Sequence, residues 1–210
     1  MENIWICTCI GYLLGTFNLA YLISKRKHRD ITKSGTGNLG TTNTFMNFGK
    51  LYGVLVLICD MGKAVLAVLV CRYIFPDFLL GQIVGGSMAV VGHVFPFYNK
   101  FKGGKGVASF GGLILILDWK LFIAILIVGC IAALVFNYGC CISFSAAVLF
   151  PVLYGLKIQS IEIFMVLIVC GGVLAFRHME NIKKIKDGEE MPIRIFLLEH
   201  VLGGVLHGKR

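Results

Sequence analysis

Three polar segments of this chain carry residue types that could bind an anion. The first segment, SGTGNLGTTN (residues 34–43), contains three glycines, four hydroxyl side chains and two asparagines. Glycine lets successive backbone N–H groups point the same way, and such an array of donors forms an anion-binding nest. The same residue types also make ordinary flexible turns. Composition therefore leaves both interpretations of this segment open.

The second segment, GHVFPFYNKFKGGKGVA (residues 92–108), adds positive charge. Lys105 is surrounded by glycines, so backbone donors and an ammonium group could reach one phosphate together near the start of a helix. It is not a Walker A loop, because Gly106 follows the lysine where that motif has Ser or Thr, and because no strand precedes it. The alternative is that these lysines only mark the cytoplasmic side of a membrane.

The third segment, RHMENIKKIKDGEE (residues 177–190), places His178 and Asn181 three positions apart, on one face of a helix. The alternative is an exposed helix with a solvated pair between Glu180 and Lys184. Together the three segments predict a site for a phosphorylated substrate. No carboxylate pair and no evident Ser, His and Asp order supplies a nucleophile, so we expect the substrate to bring its own reactivity.

The composition is that of a membrane protein. Of 210 residues, 57% are hydrophobic and 15% are charged, and the mean hydropathy is +0.83, whereas globular domains carry about 25% charged residues. We therefore predict one integral membrane domain over residues 1–192. Residues 193–210 are expected to form a C-terminal tail, either an amphipathic helix in the membrane interface or a disordered extension.

Apolar segments long enough to approach a membrane span recur along the chain, since a transmembrane helix needs about 20 residues. The predicted spans are 3–24, 51–71, 78–95, 107–117, 120–136, 142–156 and 161–176. Two of them are short, and Gly111, Gly112 and Pro151 weaken these two as regular helices. We predict an all-α polytopic bundle of about seven transmembrane helices. The alternative is five full spans with two re-entrant segments.

Lysine and arginine are concentrated in alternate loops. Residues 24–50 hold six, residues 95–106 hold three and residues 177–210 hold seven. The other connections hold only Arg72, Lys120 and Lys157. Because cytoplasmic loops are enriched in these residues, we expect the N-terminus outside, and the polar segments and the C-terminus at the cytoplasmic face of the cell membrane. The net charge of +9 also favours contact with anionic membrane lipids.

The remaining reactive groups are expected to be structural. Most of the eight cysteines lie in apolar spans without a CxxC pair and are predicted to act as small hydrophobes. Cys140 and Cys141 have no nearby partners in sequence to complete a zinc site, so no metal or cofactor is predicted. Asp60 and Lys63 are expected to form a salt bridge, with a transporter's proton site as the alternative. Nucleic-acid binding is not predicted, because the basic residues are not interleaved with exposed aromatics.

Four stretches resemble the bacterial acyl-phosphate:glycerol-3-phosphate acyltransferases, often called the PlsY family. They are GTFNLAYLI (15–23), GTGNLGTTNTFM (35–46), GHVFPFYNKFKGGKGVAS (92–109) and RHMENIKKI (177–185). Their order and spacing match the family's pattern from about residue 5 to residue 190. The resemblance implies transfer of a fatty acyl group from acyl phosphate to the 1-hydroxyl of glycerol 3-phosphate, which yields lysophosphatidate.

The resemblance also implies roles for individual residues. It implies that three residues contact the reacting substrates and are catalytic: Lys105, His178 and Asn181. It implies that a larger set binds substrate through loop backbone and polar side chains: Thr36, Asn38, Gly40, Thr42, Asn43, Lys102, Gly103, Gly104, Gly106 and Ser143.

Several positions depart from the family's pattern, among them Thr36 and Cys140, which both replace a serine. Met46 stands where an arginine of the family looks like a ligand of glycerol phosphate, and Asn137 stands where the pattern TRYVSLxS places another arginine. Asn18 replaces a proline. Losing a guanidinium predicts phosphate binding weaker by about 1.5 to 3 kcal/mol. Two alternatives therefore stay open: an acyltransferase with a different acceptor, or a non-catalytic membrane protein that binds acyl phosphate or lipid.

Overall fold

The computed structural model describes residues 2–201, and this part of the chain is built from helices without strands. The α-helices are α1 (Glu2–Thr16), α2 (Leu19–Arg26), α3 (Thr41–Phe48), α4 (Lys50–Ile74), α5 (Leu79–Val94), α6 (Val107–Leu117), α7 (Trp119–Phe136), α8 (Cys140–Ile158), α9 (Ile161–Lys186) and α10 (Ile193–Phe196). Short 3₁₀ turns lie at Ile31–Lys33 and Phe97–Asn99, and a π-helical turn at Leu197–Val201. The predicted all-α fold is confirmed. Residues 202–210 of the predicted tail lie outside the described residues.

Within residues 2–201, six helical segments are long and apolar enough to cross a membrane. They are Asn3–Arg26, Lys50–Ile74, Leu79–Asn99, Trp119–Phe136, Cys140–Ile158 and Ile161–Lys186. Helix α6 has 11 residues, which makes it about 17 Å long against a hydrocarbon core of about 30 Å. A polytopic membrane bundle is thus confirmed, with α6 as a shorter apolar helix beside the six.

Helix α8 is longer and more regular than the sequence indicated. Pro151 lies inside it, yet the helix runs for 19 residues. Proline has no N–H to bond the carbonyl four residues earlier, which here belongs to Ala147. Gly171 of α9 packs so closely on this carbonyl that a Cβ at position 171 would overlap it. Packing against α9 therefore covers the irregular point of α8, and the segment is not short.

Helices α1 and α5 pack closely through small residues. A Cβ on Gly11 would overlap the carbonyl of Gly85, and a Cβ on Gly15 would overlap the backbone of Ala89. Small residues at such contacts let helix backbones approach each other, which is how helices associate in membranes. The contact fixes α5, whose C-terminal end carries one side of the polar site described below.

A core of fully buried apolar side chains fills the space between α4, α5, α6, α8 and α9; it includes Phe110, Leu113, Phe150, Leu167 and Leu174. The outward faces of the long helices are also apolar. Their exposed side chains include Leu51, Ile58, Ile127, Val135, Leu156 and Val169. In a membrane protein such faces contact lipid, because lipid tails are as apolar as these side chains.

The C-terminal end of α9 extends beyond the N-terminal end of α6. Its N-terminal neighbour Gly106 lies beside Leu174, whose Cδ1 is 3.3 Å from the position of a Cβ on that glycine. Helix α9 continues past Leu174 to Lys186, a further rise of about 18 Å. We name the region between the start of α6 and the end of α9 the recess.

Candidate active site

The KGGKG loop is paired with the end of α5. Gly103 donates its N–H to the carbonyl of Val94 at 3.0 Å, and Gly104 donates to the carbonyl of His93 at 3.2 Å. A Cβ on Gly103 would overlap the His93 carbonyl, and one on Gly104 would overlap the His93 imidazole. Glycine is therefore required at both positions. The pairing places Lys105 just before the start of α6, within reach of the end of α9.

Lys105 is tied to α9 through the side chain of Asn181. The Lys105 Nζ donates to Asn181 Oδ1 at 2.5 Å, and Asn181 Nδ2 donates to Glu190 Oε1 at 2.6 Å. Burial lowers the pKa of Lys105 below its ordinary value, and the nearby negative charge of Glu190 opposes that shift. Two residues of the predicted site, Lys105 and Asn181, are thus brought together, with an acidic partner that the sequence did not indicate.

His178 lies one turn before Asn181 on the inward face of α9, and it is 4% exposed. Its Nδ1 is 2.8 Å from the carbonyl oxygen of Leu174. A carbonyl only accepts hydrogen bonds, so Nδ1 carries a proton, and the neutral ring keeps its lone pair on Nε2. The edge of the ring meets Phe144 of α8 at 6.0 Å between ring centroids. The imidazole is therefore held in one orientation and tautomer.

Arg177 joins this cluster, although sequence reasoning did not include it. Its Nε is buried and has no hydrogen-bond partner among residues 2–201. Its charge is the smallest of the named contributions that lower the pKa of Lys105. A buried donor without a partner is costly, so the Arg177 Nε is a candidate contact for an anionic ligand. Its position next to His178 in the RHMEN block is the sequence feature that could have identified it as a site residue.

The glycine-rich loop at residues 34–43 is folded by one buried side chain. Asn43 is 1% exposed. Its Oδ1 accepts the N–H of Thr36 at 2.9 Å, and its Nδ2 donates to the carbonyl of Ile31 at 2.7 Å. The Asn43 amide is thus used to hold the loop in shape. Thr36 is partly buried beside it.

The same loop leads into the N-terminus of α3. Gly40 is the N-cap and supplies no side-chain cap, so first-turn N–H groups of α3 stay available to a ligand. The Thr41 Oγ1 is buried with no partner among the described residues, whereas Thr42 is exposed. Asn38 is partly buried, and its Nδ2 lies 3.0 Å from the position of a Cβ on Gly40. These groups form a second set of hydrogen-bond donors.

The two glycine-rich loops meet at one point. The carbonyl oxygen of Leu39 lies 2.9 Å from the position of a Cβ on Gly104. Asn18, at the break between α1 and α2, donates its Nδ2 to the same carbonyl at 3.2 Å. Its Oδ1 also accepts the N–H of Tyr21 at 2.8 Å and so caps α2. Asparagine at this family proline position therefore attaches the loop to the first span.

Other predicted residues lie at the edge of the cluster. Lys102 is exposed, and its backbone N–H closes a turn on Asn99 at 2.9 Å. Ser143 is 3% exposed in the first turn of α8, next to the Phe144 that meets His178. Gly106 ends the loop at φ +88°, a conformation that favours glycine.

A buried polar trio lies beneath the loop. Lys63 donates to Asp60 Oδ1 at 2.9 Å and to the carbonyl of Phe17 at 2.8 Å, and its Nζ is 2.6 Å from His93 Nδ1. The predicted salt bridge is found, joined by a histidine that the sequence did not link to it. In the part of the chain that the structure describes, no three His, Cys, Asp or Glu side chains are grouped as metal ligands.

The resemblance implies arginines at the positions of Met46 and Asn137. Asn137 contacts residues 187–196, which we name the C-terminal strap. Asn137 ends α7 at φ +65°, where asparagine is a common terminator. Its carbonyl accepts the N–H of Ile193 at 2.9 Å, and its Oδ1 accepts the N–H of Arg194 at 3.2 Å. Phe196 of the strap contacts Phe45, the neighbour of Met46, at 5.8 Å between centroids.

Comparison with known proteins agrees with this arrangement. A family model described as glycerol-3-phosphate acyltransferase matches residues 5–188. A protein of that name from Exiguobacterium sibiricum is 46% identical over 119 residues, which are 56% of this chain and 57% of that protein. Another from Prochlorococcus marinus (strain MIT 9301) is 36% identical over 187 residues, which are 87% of this chain and 94% of that protein.

The fold is also similar to a solved structure, that of PlsY (YgiH), an integral membrane glycerol 3-phosphate acyltransferase, in its glycerol 3-phosphate form. The TM-score is 0.82 and the sequence identity 28%, over 90% of this chain and 94% of that one. The lysophosphatidic acid form of the same protein gives a TM-score of 0.80. The chain belongs to the glycerol-3-phosphate acyltransferase family.

Proposed function

We propose that this protein transfers a fatty acyl group from acyl phosphate to the 1-hydroxyl of glycerol 3-phosphate and so makes lysophosphatidate, the first step of phospholipid synthesis. One observation carries the proposal: the Lys105 ammonium, at the end of a glycine loop, is held against Asn181 in a recess at one end of a membrane bundle. Curated relatives carry the name glycerol-3-phosphate acyltransferase. The related solved structure is described with glycerol 3-phosphate and with lysophosphatidic acid.

The cationic groups of the recess suit the leaving phosphate. Lys105 and Arg177 supply positive charge, and the first turn of α6 supplies N–H groups and the positive end of a helix dipole. Donors that are already fixed in place stabilise charge as it develops, at little reorganisation cost. We assign the leaving phosphate of acyl phosphate to Lys105 and this helix end. Gly103, Gly104 and Gly106 shape the cradle.

The reaction needs no nucleophile from the protein. An acyl phosphate is a mixed anhydride, so the acceptor hydroxyl oxygen can attack its carbonyl carbon while the bond to phosphate breaks. The phosphate leaves with that electron pair, and the hydroxyl proton passes to a phosphate oxygen of the donor. Positioning two substrates together supplies much of the rate in such a reaction. A protein group that proves to set the pH profile of kcat would contradict this proton route.

We assign the acceptor to the other side of the recess. His178 presents Nε2 from a fixed ring, and Asn181 lies one turn further along α9. We propose that His178 orients the acceptor hydroxyl through a hydrogen bond. The remaining substrate contacts that we propose come from the loop at residues 34–43 and from α8: Thr36, Asn38, Gly40, Thr42 and Ser143, with Lys102 at the rim. Asn43 shapes the loop that presents them.

We place the site at the cytoplasmic face of the cell membrane, with the N-terminus outside. The contacts from Leu39 to Gly104 and from Lys105 to Asn181 gather all three basic segments at one end of the bundle. Basic loops are retained on the cytoplasmic side, and acyl phosphate can keep its chain in the bilayer there. Residues 1–192 form the proposed acyltransferase domain, and residues 193–210 are treated as a tail.

A second candidate is an acyltransferase with a different acceptor, favoured by the absence of a guanidinium at Met46 and Asn137. Phosphate release from palmitoyl phosphate by the purified protein separates the two. The panel is glycerol 3-phosphate, its enantiomer, glycerol and buffer alone. We expect release that depends on glycerol 3-phosphate. Release with another alcohol only would establish the second candidate, and release with none would leave a binding protein.

A further inference from the structure

Glu190 is held against the site by the strap that carries it. Its backbone N–H donates to the carbonyl of Lys184 at 3.2 Å, as does that of Glu189 at 2.8 Å. Three residues later, Ile193 donates to the carbonyl of Asn137 at 2.9 Å. The strap is thus attached to α9 on one side of Glu190 and to α7 on the other. The Glu190 carboxylate therefore reaches Asn181 from a fixed backbone.

The contacts of Asn181 are specific in their polarity. A side-chain amide has one accepting end and one donating end, an ammonium only donates, and an ionised carboxylate only accepts. Asn181 touches Lys105 Nζ at 2.5 Å on one end and Glu190 Oε1 at 2.6 Å on the other. Rotating the amide by half a turn would set donor against donor and acceptor against acceptor. Asn181 can satisfy both neighbours in only one orientation.

We propose that Glu190 is a positioning residue: it fixes the orientation of the Asn181 amide and thereby the place of the Lys105 ammonium in the recess. Glu190 makes no contact with the reacting atoms in this account and acts through Asn181. The activity readouts rest on the proposed function. Positioning matters here because small displacements of a charge-stabilising group lower the rate of the chemical step.

The charges of the recess fit this role. Burial lowers the pKa of Lys105, the charges of Glu190 and Glu180 oppose this shift, and those of Lys184 and Arg177 add to it. The Glu190 carboxylate, which contacts Asn181, is thus one of two acidic groups that favour the charged form of Lys105.

The first test compares Glu190→Gln with Glu189→Gln. Both remove one carboxylate from the strap, but Glu189 is exposed. Glutamine has the shape of glutamate and can either donate or accept, so the Asn181 amide loses its single orientation. We expect Glu190→Gln to lower kcat about tenfold while the KM for glycerol 3-phosphate changes little, and Glu189→Gln to match wild type. Equal effects of the two variants on kcat would overturn the proposal.

The second test is a rescue. Asn181→Asp alone places two carboxylates together and should lower kcat strongly. Adding Glu190→Gln restores a donor opposite an acceptor at each contact. The glutamine amide donates to one oxygen of the new aspartate at position 181, and the other oxygen of that aspartate still accepts from Lys105. We expect the double variant to exceed Asn181→Asp in kcat by about fivefold or more. A double variant no better than Asn181→Asp would contradict a positioning role, provided that both elute as intact folded protein.

The third test needs no turnover. Reductive methylation of lysines, read by mass spectrometry, reports how firmly each amine is held and protonated. We expect Lys105 in Glu190→Gln to react about threefold faster than in wild type, with Glu189→Gln unchanged and exposed Lys100 as the internal reference. If the wild-type protein transfers no acyl group, the proposed function fails. The methylation rate of Lys105 then tests the positioning role of Glu190 by itself. An unchanged Lys105 rate would overturn it.

Discussion

Lys105 and Asn181 are 76 positions apart in the chain and are joined by a 2.5 Å hydrogen bond. The bond connects the loop after α5 to the end of α9. Together with the contact between Leu39 and Gly104, it brings the three polar segments together at the recess. The predictions about activity that follow depend on that recess being the place where substrates bind, whereas the prediction for Asp118 concerns stability.

Replacing Lys105 by alanine should remove most of the activity. A hydrogen bond to a charged group contributes about 1.5 to 3 kcal/mol, which corresponds to a loss of roughly 10- to 150-fold in kcat/KM. The matched control is Lys100→Gln, because Lys100 is exposed in the same loop. We expect the control to stay within about twofold of wild type, since single exposed charges contribute little. Full activity in Lys105→Ala would contradict the assignment of the leaving phosphate to Lys105.

Met46→Arg should restore a guanidinium near the acceptor phosphate. Met46 is half-buried on α3, and a bidentate arginine–phosphate contact should lower the KM for glycerol 3-phosphate about tenfold or more. Met46→Leu, which preserves the apolar volume, is the control and should leave the KM unchanged. A KM that Met46→Arg does not lower would mean that the missing arginine is not what limits acceptor binding.

Gly104→Ala should disrupt the loop, because its Cβ would overlap the His93 imidazole and lie 2.9 Å from the Leu39 carbonyl. We expect a loss of activity larger than about tenfold, since the displaced loop carries Lys105. Gly111→Ala in α6 is the control, where the Cβ would lie at an ordinary 3.5 Å from Phe122. The test is the activity of both purified variants. Similar activities would show that the close approach of Gly104 to His93 is not required.

Asp118 should stabilise the fold far from the site. Its Oδ1 caps α7 by accepting the N–H groups of Lys120 and Leu121, both at 3.0 Å, and its Oδ2 accepts from Lys157 at 2.5 Å. The bond from Lys157 holds the pKa of Asp118 below its ordinary value. A lowered pKa means that the carboxylate stabilises the fold at neutral pH and loses this contribution in acid.

We therefore expect Asp118→Ala to lower stability by about 1 kcal/mol, the usual cost of losing an N-cap. Asp118→Asn preserves the cap and should lose less. Thermal unfolding in detergent at neutral pH measures both, and the difference between Asp118→Ala and wild type should shrink in strongly acidic buffer. An alanine variant as stable as wild type at neutral pH would contradict this role.

The sequence predicted the helices well because apolar length and loop charge are local signals. Its error at α8 concerned Pro151, where the compensating contact comes from Gly171 on another helix. Lys105 and Asn181 were identified from their motifs, but not the bond between them. Local pattern cannot indicate which distant side chains meet.

Glu190 shows the same limit, since it lies past the RHMENIKKI block and reaches Asn181 only because the strap turns back. His93 was visible as part of a motif, yet its contact with Lys63 depends on how α4 and α5 pack. Asn43 was expected to bind substrate, and its buried amide holds the loop instead of facing outward. In each case the missing information was tertiary packing.

The central claim is tested most directly by identifying the products of one reaction. Purified protein is incubated with palmitoyl phosphate and glycerol 3-phosphate, and inorganic phosphate and lysophosphatidate are both quantified. The account predicts equal amounts of the two products, no phosphate release when glycerol 3-phosphate is omitted, and loss of both in Lys105→Ala. Phosphate released with free palmitate and without lysophosphatidate would contradict it.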